Sequence, residues 1–311
     1  MSETTRDPLG EQDNIVAGFQ VEDRAVRGRI SRLGETIDLI LGAHDYPEPV
    51  ARMLGEAVLV AGLIGNALKF NGRLIIQAQG SGPVAFIVAE YTAGEGVRGY
   101  AKIDPDRVEA AIAGRAEGEG WVQTLLGEGV MAMTIDHGPN MEPYQGVVPL
   151  EGDSLVDSAE TYFAQSEQLP TRIRVAVGEH WDGEGQRYWR GGGAMLQSFA
   201  GDEARGDPGA DWEHCLALFN TVEDAELLDP ELSAGGLLYR LFNEDGVRLF
   251  EPVSLPRRCS CERERLARII ARFPQDDQDH MLVDGKIVMT CEYCNKNWDF
   301  TLDDISAAKS A

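Results

Sequence analysis

Apolar and polar positions alternate between strand-like and helix-like patterns up to residue 200. The β-prone runs predict strands at residues 25–30, 70–79, 83–91, 97–103, 130–135, 144–150 and 172–177. Helices are predicted at residues 35–41, 50–68 and 154–165. Short glycine-rich turns separate several of the strands, and connections this short favour antiparallel pairing. The pattern therefore predicts an α+β fold, with an antiparallel β-sheet and helices, rather than a βαβ fold.

Composition divides the chain into four parts. Residues 1–20 are polar and show no period, so we predict a flexible tail, and residues 21–200 contain the α+β core. Residues 201–256, called the linker below, carry 13 acidic residues and three arginines, a net charge of 3 − 13 = −10. This segment repels itself and is predicted to be metastable. Residues 257–311 carry nine basic and ten acidic side chains and are predicted to form a small separate domain.

The linker nevertheless has apolar stripes at helical spacing, which require a partner surface. These stripes are Trp212, Leu216 and Phe219, and Ala234, Leu237, Leu238, Leu241 and Phe242. Cys215 lies within the first predicted helix, where a buried thiol acting as a small hydrophobe is favoured over a catalytic one. We assign Cys215 no function.

The net charge of the whole chain is 28 − 52 = −24, which repels phosphate backbones and anionic lipid headgroups. We therefore expect neither a nucleic-acid partner nor a membrane partner. The apolar run at residues 57–68 is shorter than the ~20 residues of a membrane span and is predicted to be a buried core helix. The polar N-terminus has no signal pattern, which predicts a cytoplasmic protein.

No motif in the sequence indicates catalysis. Residues 94–99 match the dinucleotide-binding pattern, but strand-like residues follow where that motif needs a helix, so we interpret them as a turn. The histidines are scattered, and neither a P-loop nor a nucleophile elbow occurs. Tyr188, Trp189 and Gly191–Gly193 are interpreted as a loop that leads into a strand at residues 194–199. We predict no catalytic residues and no enzyme.

Four of the five cysteines cluster near the C-terminus as Cys259-x-Cys261 and Cys291-x-x-Cys294. Four thiolates in two close pairs match a closed tetrahedral zinc site. Asn295 follows the second pair and tolerates the positive φ expected of a zinc knuckle at a strand end. In an extended chain the α-carbons of the first pair lie ~6.6 Å apart, near the upper limit for a disulfide. Each pair can therefore hold a metal or close on itself.

A short amphipathic helix is predicted between the two pairs. It carries Leu266, Ile269, Ile270 and Phe273 on one face and ends at Pro274. We expect these apolar residues to be the whole local core. A domain this small is marginal on burial alone, whereas a structural zinc contributes ~10–16 kcal/mol of apparent folding free energy in small zinc modules. Oxidation of the thiolates should therefore unfold the domain.

Further segments match a known family in the family order. They are His44–Pro47, Leu68–Gly72, Gln77–Gly80, Tyr144–Val148, Leu150–Ser154, Ser166–Thr171 and the two cysteine pairs, which are separated by 29 residues. With them the chain resembles the redox-regulated thirty-three-kilodalton heat-shock chaperones of bacteria, over nearly all of its length after the N-terminal tail. Asn295, where family members often have glycine, and residues 201–210 depart from the family pattern. Neither departure touches a metal ligand.

The resemblance implies an ATP-independent holdase with a substrate-binding core, a metastable linker and a zinc switch. One zinc ion would be bound by Cys259, Cys261, Cys291 and Cys294 in the reduced protein. An oxidant would convert Cys259–Cys261 and Cys291–Cys294 into disulfides and release the zinc. The linker would then loosen and expose apolar surface to unfolded client proteins. The family also implies a homodimer on oxidation.

Three other functions compete for the cysteines. A structural zinc ribbon would stay permanently reduced and have no switching role. A thiol–disulfide oxidoreductase would use Cys291 and Cys294 on a thioredoxin-like βαβ unit, whereas Cys291 follows a strand and has a second cysteine pair upstream. A zinc-ribbon nucleic-acid module would need a basic face, and residues 257–311 have a net charge of 9 − 10 = −1.

Overall fold

The computed structural model describes four stretches of the chain, residues 13–68, 72–138, 141–199 and 207–309. The chain divides into two compact units, Met1–Arg257 and Arg258–Ala311. Each unit combines helices with antiparallel strands, which confirms the predicted α+β class.

Most elements belong to the first unit. Its strands are β1 (Ile15–Val21), β2 (Val26–Leu33), β3 (Arg73–Gly80), β4 (Val84–Thr92), β5 (Gly96–Ile103), β6 (Gly129–Asp136), β7 (Tyr144–Pro149), β8 (Thr171–Trp181), β9 (Arg187–Ser198), β10 (Val247–Leu249) and β11 (Val253–Ser254). Its helices are α1 (Glu35–Leu41), α2 (Glu48–Ala67), α3 (Pro105–Gly114), α4 (Trp121–Leu125), α5 (Leu155–Tyr162) with a π-helical turn (Phe163–Glu167), α6 (Pro208–Phe219), α7 (Asp224–Leu228) and α8 (Ala234–Phe242).

These strands form two antiparallel sheets with α2 between them. One sheet has the order β5-β4-β3-β6-β7, and the other has the order β10-β1-β2-β9-β8 with β11 also paired to β1. Helix α2 contacts strands of both sheets, and a Cβ on its Gly55 would lie only 2.7 Å from the side chain of Val177. The helix is long and apolar enough to cross a membrane, but 78% of its most apolar window is buried inside the protein. The predicted core helix is therefore confirmed.

The linker is part of this unit within its described residues, 207–256. Strands β10 and β11 pair with the edge of β1, and α6, α7 and α8 cover the outer face of the same sheet. We call this outer face the linker-covered face. Its apolar residues are Ala17, Phe19, Val21, Val26, Ile30, Ala176, Ala194 and Leu196. From the linker, Phe219, Leu238 and Phe242 are fully buried in the same cluster.

The apolar stripe predicted in α6 is rotated in the structure. Asp211, Cys215 and Phe219 are its buried positions, whereas Leu216 remains partly exposed. An ion pair explains the rotation, because the Asp211 carboxylate turns inward to Arg24, at 3.0 Å. A stripe chosen by hydrophobicity alone could not reveal this polar contact.

The predicted flexible tail is wrong at its C-terminal end. Residues 15–20 belong to β1, which pairs with β2 and β10, while residues 1–12 lie outside the described part of the chain. The partners of β1 include residues 247–249, which are too distant in sequence for a local pattern to show.

The loop predicted at Gly191–Gly193 is also wrong, because these glycines lie inside β9. A Cβ on Gly192 would collide with the carbonyl oxygen of Leu227, at the end of α7. The glycine run therefore reflects close packing of a helix on the sheet rather than a turn.

The second unit has a larger core than predicted. It contains α9 (Arg263–Ile270), α10 (Gln275–His280), β12 (Ile287–Thr290), β13 (Asn297–Phe300) and α11 (Leu302–Lys309). The amphipathic helix is confirmed as α9, but Ile269 and Phe273 are exposed rather than buried. The buried cluster consists of Ala267, Ile270, Ile287, Phe300 and Ile305. The prediction of a core from α9 alone is wrong, because the hairpin and α11 also contribute side chains.

Candidate metal centre

The four clustered cysteines lie in two turns of the second unit. Cys259 and Cys261 precede α9, and Cys291 and Cys294 lie in the turn between β12 and β13. Asn295 has φ = 55°, and its N–H donates to the carbonyl of Cys291 at 2.7 Å. This local geometry is the one expected of a zinc knuckle at a strand end.

The structure brings the four sulfur atoms together. All four lie within 4.8 Å of one another. The Sγ–Sγ distances are 3.1 Å for Cys259 and Cys261, 3.3 Å for Cys261 and Cys294, and 3.6 Å for Cys259 and Cys291. Thiolates ~2.3 Å from a tetrahedral zinc ion lie ~3.8 Å apart, so the cluster has about the size of such a site. A set of four sulfur donors fits zinc and other soft metal ions.

The thiols do not share one electrostatic environment. Burial raises the pKa of the Cys259, Cys261 and Cys294 thiols above the ordinary value of cysteine. Burial acts in the same direction at Cys291, but backbone N–H groups of Cys294 and Tyr293 donate to its sulfur and lower its pKa. Cys291 is therefore the thiol that most readily provides a thiolate, the form that binds metal.

A metal at this position would tie together segments that are distant in sequence. Residues 259–261 and 291–294 flank a stretch of 29 residues that includes α9 and β12. Among the described residues of this unit, the buried apolar cluster has five members. Closing this stretch through a metal therefore adds a constraint that so small a core needs.

Cys215 belongs to the first unit and has no polar role there. Its side chain is fully buried in α6, and burial raises the pKa of the thiol to about 12. The thiol is therefore protonated at neutral pH and is a poor nucleophile and metal ligand.

Sequence reasoning missed the basic residues that hold the linker. Four arginines of the core contact the linker or its backbone, namely Arg24, Arg32, Arg174 and Arg190. The signal was present in the sequence, because a segment with a net charge of −10 requires cations nearby to fold against a sheet. Which arginines provide the positive charge depends on the tertiary packing.

Comparisons with known proteins agree over nearly the whole length of the chain. The family model described as Hsp33 protein matches residues 14–301. The 33 kDa chaperonin of Caulobacter vibrioides is 50% identical over 292 residues, which cover 92% of this chain and 94% of that protein. The 33 kDa chaperonin of Serratia proteamaculans is 38% identical over 290 residues, which cover 93% and 92%.

A solved structure has the same fold. The crystal structure of the 33 kDa chaperonin (heat shock protein 33 homolog) of Thermotoga maritima superposes with a TM-score of 0.76 and 23% sequence identity. The superposition covers 96% of this chain and 98% of that one.

Proposed function

This chain belongs to the Hsp33 family of chaperones, and we propose that it works as a redox-regulated, ATP-independent holdase. The reduced form binds one zinc ion through Cys259, Cys261, Cys291 and Cys294 and is inactive. Oxidation of these thiols releases the zinc and unfolds the second unit. The linker then leaves the linker-covered face, which binds unfolded proteins and prevents their aggregation.

The cluster of four sulfur atoms within 4.8 Å carries this proposal, because it suits both metal binding and oxidation. We assign the disulfides of the oxidised form to Cys259–Cys261 and Cys291–Cys294. Each disulfide forms with the loss of two electrons and, counted from the thiols, two protons. One molecule of hydrogen peroxide accepts them and becomes two molecules of water. A disulfide sulfur is a poor metal ligand, so the zinc leaves.

Loss of the metal should unfold the second unit. Its buried apolar cluster has five members within residues 258–309, whereas structural zinc contributes ~10–16 kcal/mol of apparent folding free energy in small zinc modules. A core of this size does not replace a contribution that large. Unfolding is therefore coupled to the chemistry of the four thiols.

The linker ends directly before the second unit. Leu255 is fully buried; its N–H donates to the carbonyl of Asn14 at 2.6 Å, and the Thr36 hydroxyl donates to its carbonyl at 2.9 Å. The N–H of Val97 donates to the carbonyl of Pro256 at 2.9 Å. When residues 258 onward unfold, this attachment becomes the C-terminal end of the folded part of the chain, where local opening has the lowest cost.

Release of the linker exposes apolar surface on two sides. Phe219, Leu238 and Phe242 leave the cluster, and the linker-covered face loses its cover. Such surface binds apolar segments of unfolded proteins and also favours pairing between copies, so we include a homodimer of the oxidised form in the proposal. The net charge of −24 helps to keep the open state in solution.

The proposal includes a cytoplasmic location, because thiols stay reduced there until oxidants rise. It assigns no catalytic residue, since holding a client requires binding and release alone. It includes no nucleic-acid or membrane partner, in keeping with the charge of the chain.

The alternative is a structural zinc centre without a redox role, because a sulfur cluster of the same size suits it equally. An oxidoreductase has less support. Cys291 and Cys294 lie in a hairpin turn, whereas a thioredoxin-like pair lies at the start of a helix in a βαβ unit.

Light scattering of a denatured enzyme diluted into buffer tests the proposal, with released zinc measured in the same samples. We expect no suppression of aggregation by the reduced, zinc-loaded protein. The peroxide-treated protein should suppress aggregation without nucleotide and release its zinc. The Cys215→Ala variant is the matched control and should behave as the unaltered chain does. Equal suppression by both forms, with zinc retained after peroxide, would identify the centre as structural.

A further inference from the structure

Arginines are concentrated on the linker-covered face. The four that contact the linker are Arg24, Arg32, Arg174 and Arg190. All residues of β1, β2, β8 and β9 are described, and the one carboxylate among them is Glu179, which pairs with Arg187 near the end of the hairpin at 2.8 Å. Apart from Glu179, these strands therefore present cations and no carboxylate, although the chain has a net charge of −24. Two core carboxylates flank the strands: Asp13 lies 2.7 Å from Arg190, and Glu22 lies 3.5 Å from Arg248 of the linker.

Arg24 binds two carboxylates from different parts of the linker. Its guanidinium donates to Asp211 of α6 at 3.0 Å and to Asp245, which follows α8, at 2.6 Å. His214 Nε2 lies 2.9 Å from the other oxygen of Asp245. The Asp211 carboxylate also accepts the backbone N–H of Ala25 at 3.1 Å. One cation of the core thereby fixes the two ends of the linker's helical region.

Arg32 and Arg190 bind the backbone of the linker. Their side chains are 4% and 5% exposed. Arg190 Nε donates to the carbonyl of Leu228 at 3.1 Å, and Arg32 donates to the carbonyl of Asp229. Asp13 is the carboxylate beside them, 2.7 Å from Arg190. Carbonyl groups at the C-terminal end of a helix carry partial negative charge, so the end of α7 stabilises the buried guanidinium groups of Arg32 and Arg190.

Arg174 adds a contact at the border of the face. Its guanidinium lies 3.8 Å from the carboxylate of Asp224, the first residue of α7. Both side chains are partly solvated, so this pair contributes little to stability. It adds Asp224 to Asp211 and Asp245 as linker carboxylates that lie beside a core arginine.

We propose that the linker-covered face, once vacated, selects client segments that resemble the linker: amphipathic helices with an apolar stripe bordered by carboxylates. This inference rests on the proposed function, because the linker occupies the face in the reduced protein. Charge complementarity carries it, since the described linker residues, 207–256, have a net charge of 2 − 11 = −9 and contact four arginines of the core.

Apolar and charged contacts have different roles in binding a client segment. Burial of apolar surface is non-directional and accepts any apolar stripe of suitable size. A neutral or basic segment would bury Arg24 again without its two carboxylates. Arg32 and Arg190 would keep Asp13 but lose the carbonyl groups of Leu228 and Asp229, and such losses are costly for buried charged groups. The apolar contacts therefore determine that a segment binds, and the arginines determine which segments bind well.

The net charge of the chain opposes this selection at long range. Its field is screened within ~8 Å at physiological salt, whereas the contacts of Arg24 with its carboxylates are 2.6 Å and 3.0 Å long. The two effects respond to salt in opposite directions. Salt weakens an acidic segment bound by the arginines and strengthens one that is repelled by the whole protein.

Fluorescence anisotropy of labelled peptides tests the inference. The first peptide has the sequence of residues 208–228 with alanine at position 215, and the second has all five acidic residues of that sequence changed to their amides. A third keeps the acidic and apolar positions of the first with the residues within each class shuffled. Each is titrated with the full chain after peroxide treatment, and with the reduced full chain carrying Phe242→Ser, which we expect to release the linker without cysteine chemistry.

We expect the acidic and shuffled acidic peptides to bind about tenfold more tightly than the amide peptide, which corresponds to ~1.4 kcal/mol. Salt should weaken the acidic peptides and leave the amide peptide almost unchanged. Arg24→Gln in the opened chain should reduce the preference to about threefold or less, because the cation that binds the carboxylates is then missing. Arg187→Gln, in the β8–β9 hairpin of the same sheet and paired with Glu179, is the control and should retain the preference.

Equal affinity for acidic and amide peptides would overturn the inference, as would tighter binding of acidic peptides in high salt or an equal loss with Arg187→Gln. These outcomes leave the proposed function intact if the oxidised chain still suppresses aggregation. If peroxide fails to activate the chain, the proposed redox switch is wrong. The Phe242→Ser chain then still shows whether the linker-covered face prefers acidic peptides.

Discussion

Phe19 of β1 and Phe242 of α8 pack with their ring centroids 6.2 Å apart and their planes inclined by 31°. Both side chains are fully buried. Phe19 belongs to the sheet that we expect to hold clients, and Phe242 belongs to the last helix of the segment that we expect to move. Their contact therefore reports whether the linker is docked.

Phe242→Ala should weaken docking of the linker by about 3–5 kcal/mol, the usual cost of deleting a buried phenylalanine ring. The reduced variant should then suppress aggregation without oxidant, while its zinc remains bound. Light scattering and zinc content measure both properties. Tyr239→Ala on the same helix, where the side chain is 67% exposed, is the control and should remain inactive when reduced. Inactivity of the reduced Phe242→Ala chain would argue against the linker as the cover of the client site.

Arg24→Ala should loosen α6 and the segment after α8 together. The change leaves the nearly buried carboxylates of Asp211 and Asp245 without their shared cation, at a cost of about 3 kcal/mol. Hydrogen exchange should show faster exchange in both segments of the reduced protein. Arg187→Ala removes a surface ion pair instead and should cost less than about 1 kcal/mol. Faster exchange in α6 alone would mean that Arg24 does not couple the two segments.

Glu56 of α2 should make the first unit less stable as the pH rises. Burial, the largest effect, raises the pKa of its carboxyl from 4.5 to about 7, although the backbone N–H of Leu155 donates to it. Between these values the folded chain holds a proton that the unfolded chain has released, so the free energy of unfolding falls as the pH rises through this window.

Glu56→Gln should remove this pH dependence and keep an acceptor for the Leu155 N–H. At pH 8 the variant should be more stable than the unaltered chain by up to about 3 kcal/mol, and at pH 4 the two should be alike. Urea denaturation across the pH range measures the difference. Glu48→Gln, an exposed carboxylate on the same helix, should leave the pH dependence unchanged. Parallel pH profiles for Glu56→Gln and the unaltered chain would exclude Glu56 as their source.

Cys291→Ser should lower zinc affinity by at least about a hundredfold. Removing a residue that only hydrogen-bonds to a metal ligand lowers metal affinity by about tenfold to a hundredfold, and loss of a ligand itself should cost more. The second unit should then lose its protection from hydrogen exchange even in reducing buffer, while the sheets of the first unit keep theirs. Competition with a chromogenic chelator gives the affinity. Cys215→Ala should bind zinc as the unaltered chain does. Full zinc affinity in Cys291→Ser would remove this residue from the ligand set.

Local sequence pattern was sufficient for most of the regular elements. Residues 25–30, 50–68 and 97–103 show their strand and helix character within a few residues, and the structure has β2, α2 and β5 there. The two cysteine pairs could also be recognised from the sequence, because the spacing within each pair is a local property. The α+β class and the four-sulfur cluster followed from such local signals.

Tertiary packing decided the features that depend on residues distant in sequence. Residues 15–20 became a strand because residues 247–249 and 26–33 pair with them, and Gly191–Gly193 became part of a strand because helices pack closely on it. Arg24 acquired its role only when the fold placed Asp211 and Asp245 beside it. Periodicity reports which side of an element is apolar, whereas ion pairs and close backbone contacts depend on what the folded chain brings to that side.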